Sequence, residues 1–232
     1  MLTSTLLIVG AYLLGAIPSA YLVGRYLKGI DIRQHGSGNM GATNVMNHVG
    51  KLSGWLLGTF DCLAKGSLPV FVGGLLDVGM DVRVAVGLAA IAGHNWSPYI
   101  GFTGGRGVAT AVGVVFGLFM WQEFLILTVV MGAMGRLLFR DTGFWTLVAM
   151  IALPALAFLF NRPAEVVYMA IGIAALLTLK RLTGNWEMPP PDHRLLRVLA
   201  NRALLDRDIR EKAPSPERMV RPATKAKFDV QH

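Results

Sequence analysis

Long apolar runs alternate with short polar segments through the first 180 residues, and that pattern predicts membrane-spanning helices. A spanning helix needs roughly 20 apolar residues, fewer where the bilayer adjusts locally. Runs of this kind lie near 3–24, 52–76, 84–100, 107–121, 124–139, 144–160 and 164–180. They predict about seven transmembrane helices, the fourth and fifth short and divided near Trp121–Glu123. A transmembrane barrel would show ~10-residue alternating segments, and none is visible. The expected fold class is therefore an all-α integral membrane protein. The uncharged stretch Leu2–Gly24 has no basic start and is long for the apolar part of a cleavable signal, so it reads as a retained helix.

Composition divides the chain in two. Of 232 residues, 53% are hydrophobic and 16% charged, but the charges are unevenly placed. Residues 1–182 hold 12 Lys/Arg and 7 Asp/Glu, whereas 183–232 hold 10 and 7. The first part suits lipid and the second water, so the expected organisation is a transmembrane domain at 1–182 and a basic cytoplasmic tail at 183–232. A soluble enzyme is excluded. With the N-terminus outside, the cytoplasmic connections collect Arg25, Lys28, Arg33, Lys51, Arg106, Arg136, Arg140, Lys180 and Arg181, leaving Arg83 and Arg162 opposite. The positive-inside rule then gives N-out, C-in. This retention also accounts for the net charge of +8 without nucleic acid as a partner. In the tail, Pro189–Pro191 predicts a stiff linker. Asp192–Lys212 predicts a basic helix with Leu195, Leu196, Leu199 and Ala203 on one side, either interfacial or weakly ordered. Disorder is expected beyond about 214. Cys62, in an apolar run, reads as a small buried hydrophobe.

Two polar, glycine-rich segments interrupt the apolar pattern, both on the expected cytoplasmic side. Residues 31–50 read DIRQHGSGNMGATNVMNHVG, and 93–110 read GHNWSPYIGFTGGRGVAT. Gly36, Gly38 and Gly41 permit positive φ and close backbone approach, so successive N–H groups can face one concavity. Ser37, Asn39, Thr43 and Asn44 add side-chain donors, and no acidic residue lies between Asp31 and Asp61. In the second segment Gly104, Gly105 and Gly107 surround Arg106 just before an apolar helix, whose N-terminus favours an anion. Both have the composition of phosphate cradles. The competing reading is that the glycines serve only tight turns and close helix packing.

Other chemistries fail on context. Gly36, Gly38 and Gly41 fit G-x-G-x-x-G, but no strand precedes them, so no dinucleotide site is expected. No Walker phosphate loop and no G-x-S-x-G elbow occurs. His94 is not followed five positions on by aspartate; Tyr99 stands there. His35, His48 and His94 lack carboxylate or thiolate partners at ligand spacing, so no metal or other cofactor is expected. Asp61 and Lys65 share one helical face inside the second run and are either a structural pair or part of a ligand site. His94, at the end of the third run, is either a hydrogen-bonded helix-end residue or a proton carrier.

GSGNMGATNV, the DCLAKG segment and GHNWSPYIGFTGGRGVAT closely resemble the signature segments of the bacterial acyl-phosphate:glycerol-3-phosphate acyltransferases, the PlsY family. YLLGAIPSAYLVGR and DIR add to the likeness, which covers roughly residues 10–180. The resemblance implies a seven-helix enzyme of the bacterial cytoplasmic membrane with its site facing the cytoplasm. It implies transfer of a fatty acyl group from acyl phosphate to the 1-hydroxyl of glycerol 3-phosphate, giving lysophosphatidic acid for phospholipid synthesis. A phosphate acyltransferase would supply the acyl phosphate. On these positions Ser37 and His94 are the expected catalytic residues. Gly36, Gly38, Asn39, Gly41, Thr43, Asn44, Lys65, Gly104, Gly105, Arg106, Gly107, Lys180 and Arg181 are the expected binding residues.

The chain departs from the family pattern at several places. Asn47 stands where the first motif ends in arginine, and Thr103 and Arg106 replace the lysines of F-K-G-G-K-G. The segment before the sixth helix carries Thr142 and Thr146 in place of serines. The last motif is shortened to LKRLTGNWE, where Lys180 and Arg181 supply the basic part and Asn185 the asparagine in shifted register. These departures frame the alternative function, a weakened relative that binds phosphorylated lipid or glycerol 3-phosphate as regulator or transporter.

Overall fold

The computed structural model describes residues 1–139, 141–186 and 194–207. The Pro189–Pro191 linker, both ends of the expected tail helix and the segment beyond 214 lie outside them. Among the described residues the chain is helical throughout, apart from turns and one isolated bridge between Ser97 and Thr103. The helices are α1 (Leu2–Gly15), α2 (Ser19–Lys28), α3 (Ala42–His48), α4 (Lys51–Phe60), α5 (Leu68–Leu75), α6 (Met80–Asn95), α7 (Val108–Gly117), α8 (Trp121–Val129), α9 (Thr142–Leu159), α10 (Ala164–Thr183) and α11 (Leu195–Leu205).

Among the described residues, four helical stretches are long and apolar enough to cross a membrane: Leu2–Lys28, Lys51–Leu75, Thr142–Leu159 and Ala164–Trp186. The first is not one regular helix. Pro18 has no N–H to continue the ladder, so α1 ends and α2 restarts at Ser19. The second crosses through a π-helical segment, Asp61–Ser67, that joins α4 to α5. Wider π turns inside helices frequently mark functional positions. The run near 84–100 ends as a helix at Asn95, and the run near 107–121 yields only the ten residues of α7. At 1.5 Å per residue α7 is about 15 Å long, half a hydrocarbon core. Leu118–Met120, with Phe119 at φ 57°, ends it, so the break falls slightly before the expected one.

Burial concentrates where α6, α7, α9 and α10 meet, around Val86, Ile91, Val114, Leu153, Met169 and Ile173. A smaller cluster of Ile32, Met40, Val45 and Leu57 lies under the first glycine-rich segment. Close backbone approach makes the first assembly possible. A Cβ at Gly113 would overlap the Cys62 carbonyl, and one at Gly66 would lie 2.9 Å from Gly113 Cα. Glycine therefore lets α7 lie directly on the π-helical segment. Elsewhere Arg162 clamps Glu123 with two hydrogen bonds, 2.7 and 2.8 Å, tying the α9–α10 turn to the start of α8. Glu123 is completely buried, a pairing that apolar periodicity did not announce.

α11 packs on α9 and α10 through buried Val198 and Arg202. Its expected apolar side divides: Leu195 and Leu196 are exposed, while Leu199 and Ala203 are half-buried.

Candidate active site

The break at Pro18 leaves helix-end carbonyls in need of donors. Ser97 Oγ donates to the Ala16 carbonyl at 2.6 Å, and Lys65 Nζ donates to the Ile17 carbonyl at 2.7 Å. Lys65 also donates to Ser19 Oγ at 2.7 Å and pairs with Asp61 Oδ1 at 2.8 Å. Ser19 Oγ donates to the same carboxylate oxygen at 2.9 Å. All three ammonium protons thus have protein acceptors, and the two charged side chains are only 2% and 3% exposed. His94 Nδ1 stands 3.9 Å from Asp61 Oδ1, too far for a hydrogen bond, and has no partner among the described residues.

The first glycine-rich segment is a compact loop. Asp31 caps its opening turn, accepting from the Arg33 N–H at 3.0 Å and from the Arg33 guanidinium at 2.7–3.2 Å. That guanidinium holds the Asp31 carboxyl below its usual range, against a smaller opposing effect of burial. Asn44, buried in α3, directs its amide at the carbonyls of Ile32, His35 and Asn39, 3.0–3.2 Å away. Its donors hold the loop together. Gly36 and Gly38 are left-handed, at φ 56° and 69°, as their type predicts. Ser37 and Thr43 are exposed, and Ser37 Oγ accepts from the Asn39 N–H at 3.3 Å. Asn39 Oδ1 is buried without a partner among the described residues, and Gly41, extended at φ −121°, precedes the first residue of α3.

The second segment folds back on the end of α6. The Gly105 N–H donates to the His94 carbonyl at 3.1 Å, and the Gly104 N–H to Asn185 Oδ1 at 3.0 Å. Two N–H groups of the expected cradle are therefore taken by the protein itself. A Cβ at Gly104 would overlap the carbonyls of His94 and Asn95, and one at Gly105 would overlap the His94 ring. Both glycines let the loop lie directly on the end of α6. Gly107, at φ 75°, turns the chain into α7. Lys180 Nζ donates to Asn185 Oδ1 at 2.6 Å and to the Asn95 carbonyl. Arg106 donates from Nη1 to the Lys180 carbonyl at 3.2 Å and pairs through Nε with Asp206 at 2.8 Å. Arg181 turns elsewhere, to the carbonyls of Ala203 and Gly143, both at 3.0 Å.

Met40 of the first segment, Gly104 and Gly105 of the second, Lys65 and His94 meet at one cleft beside Ile17 and Ser19, whereas Ser37, Thr43, Arg106, Lys180 and Arg181 are not among the residues lining it. The two glycine-rich segments touch there: a Cβ at Gly105 would come within 2.8 Å of the Met40 carbonyl. Around the second segment several buried polar atoms have no partner among the described residues: His94 Nδ1, both side-chain atoms of Asn95, and Thr110 Oγ1 in the first turn of α7. Unsatisfied buried groups are rare and need a reason, a bound polar ligand being one. Among the described residues no cluster of His, Cys, Asp or Glu is arranged to hold a metal.

The model of the family described as "Glycerol-3-phosphate acyltransferase" matches residues 5–187. The chain belongs to this family. It is 34% identical over 221 residues to glycerol-3-phosphate acyltransferase 5 of Dehalococcoides mccartyi, covering 93% of each chain. It is 39% identical to the glycerol-3-phosphate acyltransferase of a Synechococcus species, covering 81% of this chain and 92% of that one. Crystal structures of PlsY, described as an integral membrane glycerol 3-phosphate acyltransferase, superpose at TM-scores of 0.71 and 0.70 for the glycerol 3-phosphate and lysophosphatidic acid forms. Identities are 36% and 35%, over 77% of this chain and 88% of those. The all-helical integral membrane fold and the recognition of an acyltransferase family from its motifs both stand.

Three participants escaped the sequence reading. Ser19, behind Pro18, shares the Lys65–Asp61 pair. Its signal was a proline followed by serine inside an otherwise apolar span. Asn95 and Asp206 had weaker signals, the first a buried amide beside His94 and the second a carboxylate in a tail outside the motifs.

Proposed function

We propose that the protein transfers a fatty acyl group from acyl phosphate to the 1-hydroxyl of glycerol 3-phosphate, releasing lysophosphatidic acid and phosphate. The observation that carries this reading is the convergence of both glycine-rich segments, Lys65 and His94 on one cleft in a member of this family. An acyl phosphate is a mixed anhydride with a good leaving group, so no covalent enzyme intermediate is needed. The hydroxyl oxygen attacks the acyl carbon, the anhydride C–O bond breaks, and the hydroxyl proton ends on the released phosphate. His94, whose Nδ1 is unpartnered, is the protein group assigned to relay that proton. The remaining tasks are positioning two phosphates and stabilising the developing oxyanion.

In this reading Ser37, Asn39 and Thr43 reach substrate from the first loop, and Lys65, Arg106 and Lys180 supply positive charge. Gly36, Gly38, Gly41, Gly104, Gly105 and Gly107 shape the backbone, while Asn44 and Arg181 hold the walls. The site faces the cytoplasm of a bacterial cell across seven membrane passages, N-out and C-in, with acyl phosphate supplied by a phosphate acyltransferase. The test is purified protein with palmitoyl phosphate and glycerol 3-phosphate, scored for lysophosphatidic acid and phosphate. Turnover with acyl phosphate and none with acyl-CoA is expected. Binding of glycerol 3-phosphate with no turnover from either donor would overturn the reading in favour of a binding protein.

A further inference from the structure

α11 lies outside the residues matched by the family model, yet it reaches Arg106. Asp206 follows its last turn in a left-handed conformation, φ 57°, with its N–H on the Arg202 carbonyl at 3.1 Å. The helix is held from several sides. Arg202 donates to the Leu182 carbonyl at 3.1 Å, Arg181 donates to the Ala203 carbonyl at 3.0 Å, and Arg207 pairs with Asp141 at 2.8 Å. Its carboxylate is therefore a fixed element and not a swinging one.

We propose that Asp206 is a positioning residue that fixes Arg106 for a substrate phosphate, making α11 part of the working site. Arg106 is held from two sides, by a hydrogen bond from Nη1 to the Lys180 carbonyl and by a close ion pair, without aligned hydrogen-bond geometry, between its Nε edge and Asp206. A guanidinium held in this way keeps Nη2 for an anion in one orientation, which an ammonium, with its single nitrogen, could not do. The ion pair is mostly enclosed, with side-chain exposures of 18% and 22%, so it is screened less than a surface pair. Burial pushes the Asp206 carboxyl above its usual range, and the charges of Arg106 and Arg181 beside it oppose that and favour its ionised form. The proposal rests on the function proposed above.

The experiment uses the full chain in detergent or proteoliposomes, with KM and kcat measured for both substrates. Asp206→Ala is expected to raise KM for one phosphate substrate about tenfold, the scale of one charged hydrogen bond, with a smaller change in kcat. Arg106→Ala should raise KM for the same substrate, and adding Asp206→Ala to it should change nothing further. Asp206→Glu should recover part of the loss. A helix that merely braces the fold would lower thermal stability without this substrate-selective, non-additive split. Wild-type or higher activity in Asp206→Ala, or full additivity with Arg106→Ala, would overturn the proposal. If the wild type has no acyltransferase activity, the proposed function fails. Stabilisation against heat by inorganic phosphate then still judges the clamp, which requires Asp206→Ala to weaken that effect and is refuted if it does not.

Discussion

Lys180 and Asn185 are five residues apart, and the Lys180 Nζ reaches Asn185 Oδ1 at 2.6 Å because the chain turns left-handed at Gly184 and Asn185, φ 51° and 58°. The same amide accepts from the Gly104 N–H and donates to the Gly104 carbonyl at 3.2 Å. One side chain thus fastens the end of α10 to the second glycine-rich loop. Asn185→Ala removes all three bonds and leaves Lys180 with the Asn95 carbonyl as its remaining acceptor. With hydrogen bonds to charged groups contributing about 1.5–3 kcal/mol, kcat/KM should fall roughly 10- to 150-fold. Asn185→Asp, which keeps only the acceptor, should recover part of it. Steady-state kinetics on detergent-purified protein checks both.

Gly105 sits where the His94 ring and the Met40 carbonyl meet. Gly105→Ala forces the two loops apart, and overpacking of this kind costs about 1–3 kcal/mol. Activity should fall by a decade or more while the membrane helices persist in circular dichroism. Gly10→Ala is the control, since nothing lies within 4 Å of its added Cβ. It should leave activity unchanged and stabilise α1 slightly, by up to about 1 kcal/mol.

Apolar run length was enough for the helical membrane fold, because the bilayer imposes it on any chain of such runs. The breaks within runs were less legible. Pro18 was visible, but that its break would present the Ile17 carbonyl to Lys65 depends on how α1 meets the π-helical segment. The glycine-rich motifs marked the candidate site, and Gly36 and Gly38 do take positive φ, but Gly41, named with them, is extended at φ −121°, and the left-handed Gly107 was not singled out for it. Composition alone did not divide the glycines that pack from side chains free to bind. Gly104 and Gly105 look like anion donors in sequence, yet their N–H groups go to Asn185 and His94. Likewise, Arg181 beside Lys180 suggested a shared role, but adjacent helical residues point about 100° apart, and Arg181 faces α11.

His48 packs over Gly36, and its ring lies 6.0 Å from that of His35. Burial, with a smaller contribution from the His35 charge, lowers its pKa below the ordinary 6.5. Folded His48 therefore holds a proton less tightly than the unfolded chain does. The stability it lends the first loop is full above 6.5 and declines as pH falls from there through its lowered value. Amide exchange across 35–48, corrected for intrinsic rate, should quicken between about pH 7 and pH 5. His48→Gln should flatten that dependence.

The orientation proposed for the chain places Gln34 and Gly104 on the cytoplasmic side and Asn161 outside. Single cysteines at positions 34 and 161, in a Cys62→Ala background, should label accordingly, position 161 in intact cells and position 34 only after permeabilisation; Gly104 is left in place because an added Cβ there overlaps backbone. Labelling of 34 and 161 from the same side would overturn the orientation.

Asp61 and Lys65 allow the fold and the chemistry to be separated. Both are buried, and Lys65 spends its protons on Asp61, Ser19 and the Ile17 carbonyl. Lys65→Met leaves the Asp61 carboxylate buried without its main partner, and breaking such a pair costs about 3–5 kcal/mol. Thermal unfolding in detergent should show a large loss. The double variant Asp61→Asn/Lys65→Met removes both charges, so most of that stability should return, Ser19 still donating to the amide oxygen. Activity should not return, because Lys65 lines the cleft and in the proposed function its charge serves a substrate phosphate. A double variant that recovered turnover along with stability would make the pair a structural one, and the charge at the cleft would then have to come from Arg106 and Lys180.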